Sequence, residues 1–130
     1  MKINYINKDN KFINQEGLKK IYGNNAKRIG DVNELLVASV LLKYGWEVFP
    51  NISCTGPIDL VTFNRELNVW YYLDVKSRPP TYKNMKSLLK NPISILKTTE
   101  EQEKFNVKIA YYEDDHVYII KKRGEDIIVI

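Results

Sequence analysis

The sequence predicts an α/β domain in which a mixed β-sheet is flanked by helices. Three observations carry that expectation. Residues 25–44 place apolar side chains, among them Val32, Leu35, Leu36 and Val40, at a helical period. Residues 46–77 then switch to short runs rich in aromatic and β-branched residues, broken by turn formers. Beyond residue 79, short helical segments precede further strand-like runs.

Each element follows from local chemistry. Residues 1–14 are polar with isolated apolar positions (Ile3, Tyr5, Phe12, Ile13), which suits a short strand or an arm. Residues 15–22 suit a helical turn or two ending at Gly23-Asn24. Residues 1–24 together read as an N-terminal arm or extension of a single domain spanning 1–130. The helix over 25–44 stops at Gly45, because glycine takes the left-handed conformation that ends helices without a steric penalty. Trp46–Ile52 reads as a strand, and Ser53-Cys54-Thr55-Gly56 as a turn. Pro57–Phe63 reads as a second strand, with Pro57 at its first position, where a missing N–H is tolerated. After a turn at 64–68, Val69–Ser77 reads as a third strand paired with the second, and Arg78-Pro79-Pro80 ends it. Residues 84–91 read as a helix stopped by Pro92. Thr98 or Thr99 can cap another short helix, since Glu101 and Gln102 each lie three residues after one of them. Val107–Tyr112 and Val117–Lys121 read as strands around Glu113–His116, and Ile127–Ile130 as a last edge strand.

Composition narrows the function. A chain of 130 residues supports one core and little more. With 44% hydrophobic residues, nine Tyr and two Trp, it has the material to fold. Twenty Lys and Arg against 16 Asp and Glu give +4, a mild pointer to an anionic partner such as nucleic acid. The one Cys, Cys54, has no partner for a disulfide or a catalytic dyad, which fits a reducing compartment. No signal peptide or membrane-length apolar run is present, so a soluble intracellular protein is expected. The abundance of Lys, Asn and Ile fits AT-rich coding, as in a virus or a low-GC bacterium. The one histidine, His116, reads as a turn residue and argues against histidine-based nuclease chemistry or a zinc site. With no Gly-rich phosphate loop, no nucleotide cofactor is expected.

Three features carry chemistry. Asp59 interrupts an otherwise apolar run (Ile58, Leu60, Val61). Asp74 and Lys76 stand two apart in another such run, and Glu34 lies on the preceding helix. Side chains two apart on a strand share a face, so Asp74 and Lys76 point the same way and Asp59 can lie beside Asp74 on a neighbouring strand. Two carboxylates on a sheet are costly unless a cation neutralises them, and Mg²⁺ accepts one or two carboxylates plus water. Simpler readings stand beside this one. Asp74 and Lys76 form a surface ion pair in one of them. In another, Asp31 caps the helix and Glu34 completes a capping box three residues later.

The order Gly30-Asp31-Val32-Asn33-Glu34, Leu42, Gly45-Trp46-Glu47-Val48, Pro57-Ile58-Asp59 and Asp74-Val75-Lys76 resembles the PD-(D/E)XK nuclease superfamily over roughly residues 27–78. Within it, the Gly-x-x-x-Glu helix and the hairpin leading to Asp-x-Lys-Ser look most like small Holliday junction resolvases of archaeal and phage type. The resemblance implies a restriction-endonuclease-like core and a metal-dependent DNA endonuclease, phage-encoded in the nearest cases. It implies Asp59 and Asp74 as ligands of Mg²⁺, with Mn²⁺ substituting, and the Val75 carbonyl as a further ligand. It implies Lys76 as the catalytic lysine and Glu34 as completing the site directly or through metal-bound water. It also implies a homodimer acting on branched or duplex DNA. Many resolvases carry Glu where this chain has Asp74, and the Pro-Ile-Asp spacing departs from a bare Pro-Asp pair. Residues 79–130 carry no motif of the family. A sequence-specific homing or restriction-type endonuclease, an exonuclease, and a catalytically silent DNA-binding module of the same fold are the alternatives.

From Lys76 to Thr99 there are six basic residues (Lys76, Arg78, Lys83, Lys86, Lys90, Lys97) and no acid. Next to the acidic motif, such a run reads as a phosphate-gripping surface, or else as a solvated helix face. Lys27 and Arg28 can add to it, and Tyr82 either stacks on a base or packs.

Overall fold

The computed structural model describes residues 5–6, 12–13, 26–53, 55–78, 82–90, 99–120 and 127–130, with backbone alone at 5–6, 12–13 and 26–27. The helical period from residue 25 onward forms helix α1, Ala26–Lys43. It ends in a Schellman motif: Trp46 N–H donates to Leu41 O at 2.9 Å and Gly45 N–H to Leu42 O at 3.1 Å. Gly45 supplies the required left-handed turn at φ 86°. Two short strands, β1 (Tyr5–Ile6) and β2 (Phe12–Ile13), pair antiparallel with each other. The turns expected over 15–22 lie outside the described residues, as does Cys54.

Strands β3 (Glu47–Pro50), β4 (Leu60–Asn64) and β5 (Val69–Val75) form an antiparallel meander. Helices α2 (Met85–Lys90) and α3 (Glu100–Lys104) follow. Strand β6 (Val107–Glu113) then lies parallel to β5, and β7 (His116–Ile120) and β8 (Ile127–Val129) extend the sheet antiparallel. The six strands stand in chain order, β3 to β8, so the sheet is mixed through the single β5–β6 crossover.

Alternation sorts the side chains onto two faces. On one face α1 buries Val37, Val40 and Leu41 against Leu60, Leu73, Ala110 and Ile119. On the other, α2 packs Met85 and Leu88 over Ile109, Tyr111 and Ile120, covering the β6–β7 half of the sheet. The Tyr111 ring is fully buried there and its hydroxyl has no hydrogen-bond partner among the described residues. Burial first, then the charge of Asp74, pushes its pKa up to about 12, so the hydroxyl keeps its proton.

Several strand boundaries differ from the sequence expectation, and two of them bear on the site. The second strand starts at Leu60 rather than Pro57. Asn51 explains the delay: its side-chain amide donates to Thr55 O at 2.7 Å and Ile58 O at 2.9 Å, while its N–H donates to Asp59 O at 3.0 Å. Those bonds tie 51–59 into a stapled loop. The third strand ends at Val75, so Lys76 and Ser77 lie just past it. Asp59 and Lys76 therefore sit at strand ends rather than inside strands.

Candidate active site

The β4–β5 ladder closes at the pair Leu60–Leu73. One step further, the Val75 N–H donates to Asp59 Oδ2 at 2.8 Å. The carboxylate thus takes the place of the next backbone acceptor, and this fixes where Asp59 points. On the opposite side of β5, Lys76 N–H donates to Ala110 O at 3.0 Å, so the end of β5 is held from both flanks.

Asp74 stands beside Asp59, close enough for the two carboxyl groups to share a hydrogen bond. Asp74 Oδ2 accepts from Gln102 Nε2 at 2.8 Å, and Lys76 Nζ lies 3.3 Å from the same oxygen. Gln102 is buried and its orientation is not free. Thr99 N–H donates to its Oε1 at 3.0 Å, and Gln102 N–H donates to Thr99 Oγ1 at 3.1 Å. This is the capping box expected at the start of the third helix. With Oε1 committed to the cap, Nε2 must face Asp74. Sequence reading marked the cap but not this second role. The missing signal was the parallel β5–β6 crossover, which brings α3 back over the end of β5.

Glu34 joins through α1. Its neighbour Asn33 donates from Nδ2 to Ser77 Oγ at 2.7 Å, tying the helix to the chain just beyond Lys76. The capping reading of Glu34 does not hold, because α1 begins at Ala26 and Asp31 lies in the helix interior. Burial, then the charges of Asp31 and Asp74, raise the pKa of Glu34. Asp59 is raised to about 6: burial leads, the hydrogen bond with Asp74 and the charges of Glu34 and Asp74 add to it, and the Val75 N–H opposes it. Burial and neighbouring carboxylates thus disfavour the ionised forms of Asp59 and Glu34.

A hard cation fits that situation. Among the described residues no three His, Cys, Asp or Glu side chains come together as a metal-binding group. Asp59 and Asp74 are the carboxylates that could hold such a cation, its other positions left to water. Val75, whose carbonyl the resemblance implies as a further ligand, also touches the site through its N–H.

The basic residues divide. Arg78 is paired with Glu113 at 2.7 Å, and the same Glu113 oxygen accepts the Met85 N–H at 2.8 Å, so this pair clamps the start of α2. Lys83, Lys86 and Lys90 are exposed on or beside α2, which covers the sheet face that bears Asp74. Arg28 is exposed on α1, the Lys27 side chain lies outside the described residues, and so does Lys97. Tyr82 packs against the α2 core cluster, and His116 is exposed at the start of β7. No helix among the described residues is long and apolar enough to cross a membrane. Comparison with family models, curated proteins and solved structures gives no match.

The raised pKa of Asp59 has a sign that can be tested. In metal-free protein the fold binds this proton more readily than the unfolded chain does. The stabilising contribution is complete below about pH 3.8 and is lost as pH rises through about 6. Denaturant unfolding in the presence of a chelator should lose stability more steeply between about pH 4 and about pH 6 for the native sequence than for Asp59→Asn. Equal slopes would show that the carboxyl groups are not coupled in this way.

Proposed function

We propose that this protein is a metal-dependent DNA endonuclease of PD-(D/E)XK type with a restriction-endonuclease-like core, structure-selective in the manner of Holliday junction resolvases. The observation that carries the reading is the Asp59 carboxylate seated on the Val75 N–H, next to Asp74 in sequence, with Gln102 and Lys76 against Asp74. The element order supports it. A helix bearing Glu34 precedes an antiparallel meander that carries the two acids, and a parallel strand then closes over the third strand of the meander.

In this reading Asp59 and Asp74 bind Mg²⁺, or Mn²⁺ in its place. The bound cation supplies a more acidic water and neutralises phosphate charge. Gln102 and the Val75 N–H hold the two carboxylates in register, as hydrogen-bonding partners behind metal ligands do. Lys76, partly exposed, offers its ammonium to the charge that builds on the phosphate oxygens during attack. Glu34 accepts a proton or a water hydrogen bond at the edge of the pair. Lys83, Lys86 and Lys90 supply sequence-independent attraction for the DNA backbone.

The homodimer contact belongs on α1. Its outer side exposes Ile29, Val32, Leu35 and Leu42 as a stripe at helical spacing.

A panel of four-way junctions, flaps, linear duplex, single strands and RNA tests the activity with Mg²⁺ or Mn²⁺. Branched DNA is the expected substrate. Asp74→Asn should lower cleavage about a hundred-fold or more with DNA binding largely retained. Gln102→Ala should cost about ten- to a hundred-fold, as for a group that positions a metal ligand. Undiminished cleavage by Asp74→Asn would remove the assignment, and no cleavage of any substrate would favour a binding module. Light scattering at assay concentration should give twice the chain mass, falling to one in Leu35→Glu. Paired junction cuts by a monomer would contradict the dimer.

A further inference from the structure

We infer that the exposed aromatic sheet face beside Asp59 is a base-stacking subsite that takes an unpaired nucleotide of the DNA strand being cut. This rests on the nuclease reading of the adjoining carboxyl pair and specifies its substrate.

The face carries aromatic rings that no helix of the described residues covers. Phe49, Phe63, Trp70 and Tyr72 lie on the same side of β3, β4 and β5 as Asp74, whereas α2 covers the β6–β7 half. Trp70 stacks on Phe63 at 4.3 Å between centroids and on Phe49 at 6.1 Å, with planes 22° apart in both cases. Phe49 and Trp70 each keep 49% of their surface in water. A contiguous patch of exposed rings, unlike a single exposed apolar residue, marks an interaction surface.

One of the rings, Phe49, shares a groove with Asp59. The groove, of about 270 Å³, is lined by Phe49, Pro50, Asn51, Ile58, Asp59 and Val61. One end is an aromatic ring and the other is a proposed cation ligand. A nucleotide has the matching halves, a flat apolar base and an anionic phosphate. The phosphate cannot approach Asp59 without a cation, so it belongs at the carboxylate end and the base at the Phe49 end.

The groove recognises a base by its face rather than its edge. Asn51 is the one amide side chain in the lining, and it is engaged locally: its Nδ2 donates to Thr55 O and Ile58 O, and its Oδ1 accepts from the Ser53 N–H and hydroxyl. A base inside a duplex is already stacked on both sides and offers no free face. The occupant is therefore an unpaired nucleotide, as at a flap, a fork, a branch point or a single strand, taken with little regard for sequence.

Trp fluorescence tests this directly. Of the two Trp residues, Trp46 is buried and Trp70 is not, so quenching by added DNA reports the proposed face. An oligothymidylate is expected to quench, and a blunt duplex of the same length is not. Phe49→Ala should weaken single-strand binding about ten-fold, within the range for one base on one ring, and leave duplex binding within about two-fold. Phe49→Tyr should restore it. Phe49→Leu keeps apolar volume without the ring and gives the same reading if the Ala variant does not fold. Unchanged single-strand affinity, or equal loss for both DNAs, would overturn the inference. So would a variant that changes oligomeric state at unchanged DNA affinity, which would assign the face to contact between copies. Cleavage measured in parallel separates the two claims. Asp74-dependent cutting with Phe49-independent binding sinks the subsite alone, and Phe49-dependent binding without any cutting sinks the nuclease reading alone.

Discussion

Two carboxyl groups in hydrogen-bond contact repel each other as anions unless a proton or a cation lies between them. Asp59 and Asp74 are held beside each other by groups that offset only part of that repulsion, since Asp59 stays raised to about 6. The Val75 N–H fixes one carboxylate, and Gln102 and Lys76 fix the other. The surrounding structure is arranged around the constraint. The β4–β5 ladder stops one residue short so that a side chain takes the place of a backbone carbonyl. The β5–β6 crossover returns α3 to the end of β5 so that a capping glutamine serves the site as well. Helix α1 is tied to Ser77 so that a third carboxyl group adds to the repulsion. A fold seeking only stability would have spread these charges apart.

Much of this frame was legible in the sequence, because it follows from local rules. The period change after Gly45 separates α1 from the meander, and the Schellman bonds at Leu41 and Leu42 are what a glycine at that position provides. Thr98 or Thr99 marked the start of α3 through a capping box, and the structure uses Thr99 with Gln102. The Asp-Val-Lys run placed Asp74 and Lys76 on one side by strand alternation alone. Boundaries were less legible where a side chain competes with the backbone. Asn51 captures the carbonyls that would have begun the second strand early, and nothing in a period-two pattern announces that.

What sequence could not give is contact between distant segments. Gln102 meets Asp74 across a crossover whose hand and order no local pattern encodes. Arg78 counted as a basic residue in sequence, yet it is paired with Glu113 at the entry to α2. Glu34 moved the other way. Capping explained it while the helix start was unknown, and a start at Ala26 removes that explanation. The aromatic face was invisible for the same reason, since Phe49, Phe63 and Trp70 come from three strands.

The central claim is that Asp59 and Asp74 together hold a hard divalent cation, and Mn²⁺ binding followed by electron paramagnetic resonance tests it most directly. The native chain should bind Mn²⁺ saturably and release it to excess Mg²⁺. That site should vanish in Asp59→Asn and in Asp74→Asn and persist in Lys76→Ala. Mn²⁺ binding that is the same in the native chain and in both Asp variants would contradict the claim.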